Sequence, residues 1–250
     1  MPKEPSQTPK KEIPATAAQT SHPRWSLGAR VAFRLCFVLI AAAAILFIPA
    51  RTLRFWQAWA FLALAFIPTA AVYFYFLRRD PQLVERRLQT REQDPNQRFL
   101  MRWSKPFFFV VFLLPGFDHR LGWSRTLLEA VPLWLTLVSE ALVLGNLLFV
   151  GWVMKVNSFA AHTVQVEAGQ RVISIGPYCL VRHPLYSGSL MAWLFTPLAL
   201  GSYVALPAFA LLIPFYISRL LNEEKVLRKQ LPGYTAYCHR TPFRLIPFVW

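Results

Sequence analysis

The sequence predicts an all-α integral-membrane bundle of about five or six transmembrane helices, and three observations predict it. First, 55% of the 250 residues are hydrophobic and only 16% are charged, whereas soluble domains run near one quarter charged. Second, the apolar residues come in long uncharged blocks rather than alternating patterns. Third, the basic residues cluster at the ends of those blocks, as they do beside a membrane surface. A soluble enzyme and a wholly disordered chain are both excluded on these grounds.

The first 28 residues are rich in Pro, Ser, Thr, Ala and Lys and read as a disordered basic tail, with no secretory cleavage pattern. A helix needs about 20 apolar residues to cross a hydrocarbon core of ~30 Å. Leu35 to Ala50 gives 16 consecutive uncharged residues, extended by Val31 to Arg34, and Phe55 to Leu77 gives 23. Both predict spans. The loop 78–105 carries eight basic and four acidic residues and predicts an amphipathic helix from Gln82 to Arg91 lying on lipid headgroups. Pro106 to Phe117 has 12 uncharged residues and predicts a short or re-entrant segment. Thr126 to Met154 is long enough for a fourth span despite Glu129 and Glu140. From His183 to Ser218 there are 36 residues without Asp, Glu, Lys or Arg. A single helix of that length would measure ~54 Å, so Gly201-Ser202 and Pro207 predict a helical hairpin. The expected organisation is therefore a tail at 1–28, spans at 29–155, and a C-terminal region at 156–250 containing the hairpin 184–219.

With six spans, alternate sides carry 23 and 4 of the 27 Lys and Arg residues. By the positive-inside rule the 23 side, with both termini, is cytoplasmic. Trp25, Trp56, Trp103 and Trp123 stand near block ends, where an interfacial belt would place them. The net charge of +15 is accounted for by this surface, and no nucleic-acid motif accompanies it. Cys36, Cys179 and Cys238 have neither disulfide nor zinc spacing. No metal is expected, since His119, His162, His183 and His239 lack ligand spacing.

Chemistry concentrates between the fourth span and the hairpin. Thr163 to Glu167, a turn at 168–170 and Arg171 to Ile175 read as a β-hairpin. It leads into Gly176-Pro177-Tyr178 and Arg182-His183-Pro184-Leu185-Tyr186-Ser187-Gly188. Pro184 suits a first helical turn, whose free N–H groups and dipole suit an anionic group. A hairpin returns its far end to the same side, so 182–186 and 219–224 should be neighbours. That brings Arg219, Asn222, Glu223 and Glu224 to Arg182 and His183. Adjacent acids diverge by ~100° on a helix, so both can hardly face the same ligand, and at least one should point toward His183 and Tyr186.

Gly176-Pro-Tyr, Arg182-His-Pro-x-Tyr-x-Gly188, Glu223-Glu224-x-x-Leu227 and Gly233-Tyr…Tyr237 resemble the isoprenylcysteine carboxyl methyltransferase family and its phospholipid methyltransferase relatives. The resemblance covers about 176–250. Gly116 to Ser124 and Arg79-Asp80-Pro81 resemble loops of bacterial members, which implies a bacterial inner membrane. The resemblance implies an integral-membrane enzyme using S-adenosyl-L-methionine and a lipophilic acceptor, such as the carboxylate of a prenylcysteine-like molecule. It assigns Arg182, His183, Pro184, Tyr186, Gly188, Glu223, Glu224, Tyr234 and Tyr237 to cofactor binding. Arg240 occupies the basic position of the tail, followed here by Thr241 rather than Val.

A sulfonium is already an activated electrophile, so positioning and exclusion of water suffice for methyl transfer. A carboxylate acceptor is ionised at pH 7 and needs a cation to orient it, for which Arg240 is the candidate. Glu224 or Glu223 suits the cofactor's positive charge. An amine or thiol acceptor would need a base, a Glu or His183. Membrane sterol and steroid reductases, which use NADPH, share an Arg-His-Pro-x-Tyr element and remain the alternative. Glu140 is an intramembrane acid, a mark of function or of packing against Asn146. Asp118-His119-Arg120 reads as an interfacial turn on the outer side.

Overall fold

The computed structural model describes residues 25–89, 95–159, 166 and 169–250. Helix α1 (Leu27–Ala50) starts at Ser26, whose hydroxyl accepts from the Ala29 amide at 3.2 Å. It stops where Arg51 turns left-handed, with φ of 52°. Helix α2 (Trp56–Arg79) runs into α3 (Pro81–Leu88), which begins with Pro81 under an Asp80 carboxylate that caps the Leu83 amide at 3.0 Å. There follow α4 (Pro95–Leu121), α5 (Trp123–Leu127) and α6 (Leu133–Val156). After a 3-10 turn at Gly176–Cys179 come α7 (Pro184–Ala199), α8 (Ala205–Ala210), α9 (Leu212–Gln230) and α10 (Tyr234–Arg240).

Five helical stretches are long and apolar enough to cross a membrane: Leu27–Ala50, Trp56–Arg79, Gln97–Leu121, Leu133–Val156 and the continuous Ala205–Gln230. They turn Phe33, Phe37, Ile40, Ile48, Ile67, Phe74, Trp134 and Leu137 outward, an apolar surface that a bilayer covers. Trp25, Trp56, Trp103 and Trp123 are among the exposed side chains. The sixth stretch, α7, has 16 residues and measures ~24 Å. It lies against α6, which also contacts α2, while α1 packs on α4 and α2. At Gly188 a β-carbon would overlap the Asn146 side-chain oxygen, so this glycine sets the distance between α7 and α6. The hairpin turn falls at Gly201, whose φ of +70° suits a residue without Cβ.

Several expectations need correction. Pro106 to Phe117 is neither short nor re-entrant. The polar residues before it join the same helix, giving α4 its full length. The fourth span begins at Leu133 rather than Thr126; Thr126 belongs to α5, and Glu129 lies in the connection outside the span. The helix expected over 82–91 is Pro81–Leu88, and residues 90–91 fall outside the described residues. Its apolar face does not meet lipid. Leu83 and Val84 are fully buried among Val31, Phe76 and Met154, because a helix of two turns hides more apolar area inside the bundle than at a headgroup layer. Arg86 donates to the Ser158 carbonyl at 2.9 Å, and Arg34 donates to the Leu88 carbonyl at 2.8 Å. The β-hairpin is absent among the described residues. Arg171 to Ile175 forms no strand, and residues 163–165, 167 and 168 lie outside them. Val166 and Val172 pack instead against Leu231, Tyr234, Tyr237 and Cys238, so their alternation serves a helix and not a ladder.

At the end of the bundle away from residues 182–186, Asp118 is buried and gathers three donors. The Ser124 amide lies at 2.7 Å, and the Ser124 and Ser202 hydroxyls each at 2.5 Å. The Ser124 hydroxyl oxygen in turn accepts from the Tyr203 amide at 2.9 Å. This knot ties the turn between α7 and α8 to the junction of α4 and α5. His119 stacks on Phe55 with ring centroids 4.2 Å apart. Glu140 is buried with no protein hydrogen-bond partner for either oxygen, and the Asn146 oxygen likewise has none, so the two do not pair.

Candidate active site at the hairpin mouth

The uncharged run folds as α7 followed by α8 and α9, and this returns Glu223 and Glu224 to the start of α7. Glu224 is the hub. Its Oε1 lies 3.0 Å from Arg182 Nε and 3.3 Å from His183 Nε2; its Oε2 lies 3.1 Å from Arg244 Nε and 3.8 Å from Arg228. The carboxylate and the Arg182 side chain are each 5% exposed, so a full charge pair sits out of water. Burial on this scale is tolerated only with compensating charge and hydrogen bonds, which four basic groups supply. Arg182 Nε lies at ion-pair distance from Oε1 without hydrogen-bond alignment.

Glu223 points elsewhere, as the ~100° separation requires, and accepts from the Tyr186 hydroxyl at 2.6 Å. The Tyr234 hydroxyl is 3.4 Å from His183 Nε2. Tyr237 donates to the Tyr178 carbonyl at 2.7 Å, and the Asn157 amide donates to the Tyr178 hydroxyl at 2.8 Å. Burial pushes the Tyr178 phenol up to about 12 and raises those of Tyr234 and Tyr237 further. All three therefore stay protonated donors at neutral pH. The chain beyond α10 closes the mouth, since the Arg182 and His183 amides donate to the carbonyls of Phe243 and Arg244 at 2.9 and 3.0 Å.

A cavity of about 960 Å³ opens beside this cluster. Arg182, His183, Pro184, Tyr186, Glu223, Tyr234 and Tyr237 form part of its polar wall. It continues between Phe37, Val38 and Ile45 of α1, Phe108, Phe109 and Phe112 of α4, and Leu212 and Phe215 of α9. Arg34, Arg87, Arg171, Arg182 and Arg219 line it, against Glu223 as the one carboxylate among the described residues. The wall is therefore electropositive.

Of the residues expected at the site, Arg182, His183, Tyr186, Glu223, Glu224, Tyr234 and Tyr237 come together. Pro184 is the first residue of α7 and Gly188 its contact with α6. Arg240 is exposed in the last turn of α10 and is not brought to the cavity. Arg244 stands in the hub instead. No periodic relation links residue 244 to the motifs, so nothing in the sequence marked it. Tyr178 was within reach, because it belongs to the Gly176-Pro177-Tyr178 motif.

Most of the cavity's polar end and of the hub lies between α6 and the end of α9, with Tyr234, Tyr237 and Arg244 following. Residues 134–232 match the phospholipid methyltransferase family. The matched segment thus contains Arg182, His183, Tyr186, Glu223 and Glu224, while α10 and Arg244 follow it. Three curated relatives are similar over parts of their length. Delta(14)-sterol reductase TM7SF2 of Mus musculus is 30% identical over 124 residues, 43% of this chain and 29% of that protein. Protein-S-isoprenylcysteine O-methyltransferase B of Arabidopsis thaliana is 30% identical over 113 residues, 43% and 56% of the two chains. Nickel-cobalt-cadmium resistance protein NccN of Alcaligenes xylosoxydans xylosoxydans is 27% identical over 138 residues, 50% and 63%. The chain spans less than two thirds of each of these relatives. The resemblance read from the motifs is borne out by the family match and by the plant methyltransferase.

Proposed function

We propose that the chain is an S-adenosyl-L-methionine-dependent methyltransferase, with region 156–250 holding the cofactor and a lipophilic acceptor in the apolar arm of the cavity. The observation that carries this reading is the coincidence of the family match with one cavity that joins a charged, hydrogen-bonding mouth to an aromatic slot. The residues fit the cofactor's chemistry. Arg182 offers its guanidinium to a carboxylate, Tyr234 and His183 offer polar contacts, and Glu223 offers the wall's carboxylate to a positive charge. Bound there, the cofactor supplies a methyl group on a positively charged sulfur. Glu224 lies behind the wall and acts by orienting Arg182, His183 and Arg244. Glu223 faces the cavity and is the acid able to meet the cofactor's charge.

The acceptor assignment follows from the wall's charge. A protonated amine would meet the arginines unfavourably, whereas a carboxylate is ionised and needs only orientation. We assign that orientation to Arg219 and Arg171 on the wall in place of the exposed Arg240. The aromatic slot excludes water from the approach.

A second reading keeps the sterol reductase relative in view, since an electropositive wall also suits the phosphates of NADPH. Thermal melts in detergent separate the two. S-adenosylhomocysteine at 100 times its dissociation constant is expected to stabilise the chain by about 2.7 kcal/mol, with no shift from NADPH. A shift from NADPH alone reverses the assignment.

The same reading places residues 1–29, 78–105, 155–182 and 219–250 in the cytoplasm, because the cofactor is made there and 23 of the 27 basic residues lie on that side. A cysteine placed at Gln170 is expected to resist membrane-impermeant maleimide in intact cells and to react after lysis. Efficient labelling from outside inverts the topology.

A further inference from the structure

Residues 244–250 form a closed loop that the site chemistry leaves unexplained. The amides of Arg244, Leu245 and Ile246 all donate to the Trp250 carbonyl, at 2.8, 2.9 and 3.2 Å, and the Val249 and Trp250 amides return to the Ile246 carbonyl. The loop is thus folded by its own backbone. What it presents is apolar: Phe248 is 87% exposed, Val249 74% and Ile246 53%. Phe248 has a φ of +64°, a conformation unusual for a bulky residue, and it holds this ring outward. Such a knob is costly to leave in water.

Its position says what covers it. The Phe243 and Arg244 carbonyls accept from the Arg182 and His183 amides, and the Ser187 hydroxyl donates to the Leu245 carbonyl at 2.6 Å. The loop therefore lies against the first turn of α7, where that helix enters the apolar layer. Ile175 and Leu180, 67% and 59% exposed, lie just before the same turn. The charges that follow Glu224 are all basic, since residues 225–250 contain no Asp or Glu, and Lys225, Lys229 and Arg240 are exposed. Apolar tips with a basic surround match the headgroup layer of an anionic bilayer. Three side chains on one loop fall short of the ~800 Å² per partner of a stable protein interface.

We infer that the loop 244–250 is a membrane-interface anchor, dipping Ile246, Phe248 and Val249 into the headgroup layer of an anionic bilayer. Because Arg244 is both the base of this loop and a partner of Glu224, the bilayer then holds one arm of the hub. The anchor does not depend on which reaction the cavity supports.

The test uses the full chain in nanodiscs of phosphatidylcholine and phosphatidylglycerol. With Cys36 and Cys179 replaced by Ser and the buried Cys238 kept, a nitrobenzoxadiazole probe is placed at Phe248→Cys or, as a water-facing control, at Lys229→Cys. Lipids with a nitroxide near the headgroup are expected to quench the probe at 248 at least threefold more than at 229. The unsubstituted chain provides a second measurement. A phospholipid bearing a diazirine near its glycerol is expected to leave adducts on the peptide 245–250 after illumination. Equal quenching at the two positions overturns the anchor. So does a peptide 245–250 free of adducts, or crosslinked to a second chain, in a sample whose spanning helices are labelled.

Discussion

Glu224→Gln is expected to cost the chain most of its affinity for S-adenosylhomocysteine and a large part of its stability. The amide keeps the shape of the carboxylate but leaves Arg182, buried at 5% exposure, and Arg244 facing no negative charge. Removing one partner of a buried pair costs about 3–5 kcal/mol, because the remaining cations cannot regain their hydration. Calorimetry should show a loss of 100-fold or more, and the detergent melt should fall. Glu223→Gln is the informative contrast. Glu223 accepts from the Tyr186 hydroxyl at 2.6 Å, and an amide oxygen still accepts from it. The melt should stay within a few degrees of the parent, while affinity falls several-fold as the charge facing the cavity is lost. Equal behaviour of the two variants would show that the hub and the cavity acid have no separate roles.

Asp118→Ala is the second large effect, and it acts at the opposite end. It removes the acceptor of three buried donors, two from Ser124 and one from Ser202. Hydrogen bonds to a charged group are worth about 1.5–3 kcal/mol each, and unsatisfied buried donors add their own penalty. A combined loss of about 3–5 kcal/mol corresponds to a melting point lower by about 10 °C or more. Affinity for S-adenosylhomocysteine measured well below that melt should change little, since no residue of the knot lines the cavity. An unchanged melt would mean that the turn at Gly201 is held by its backbone alone.

Much of this architecture was legible because its cause is local. Uncharged runs marked the spans at 27–50 and 56–79, and the 36-residue run marked a hairpin whose length no single helix could use. The hairpin then brought Arg182, His183, Glu223 and Glu224 together by topology alone. Three features were not legible, each for a physical reason. The length of α4 was hidden because its first turns are polar and its helical character continues across Pro106. The inward face of α3 was hidden because an amphipathic helix has the same pattern whether protein or lipid takes its apolar side. Arg244 was hidden because its place in the hub depends on how the chain turns after α10. Val172, by contrast, misled. A short alternating run predicts a strand, but the apolar side it offered was covered by Leu231 and Tyr234.

The knot at Asp118 also bears on how the molecule is made. Ser202 follows Asp118 by 84 residues, an interval of about 4–17 s at ordinary rates of synthesis, ~5–20 residues per second. Throughout that interval the carboxylate can recruit Ser124 but not the hairpin turn, so α1 to α6 emerge with an incompletely satisfied acid waiting at the junction of α4 and α5. Arrival of α7 and α8 supplies the missing hydroxyl at the moment the hairpin inserts. The bond thus serves as a register mark for the last step of assembly: a hairpin inserted too shallowly leaves Ser202 short of Asp118, and a buried carboxyl oxygen keeps one donor fewer.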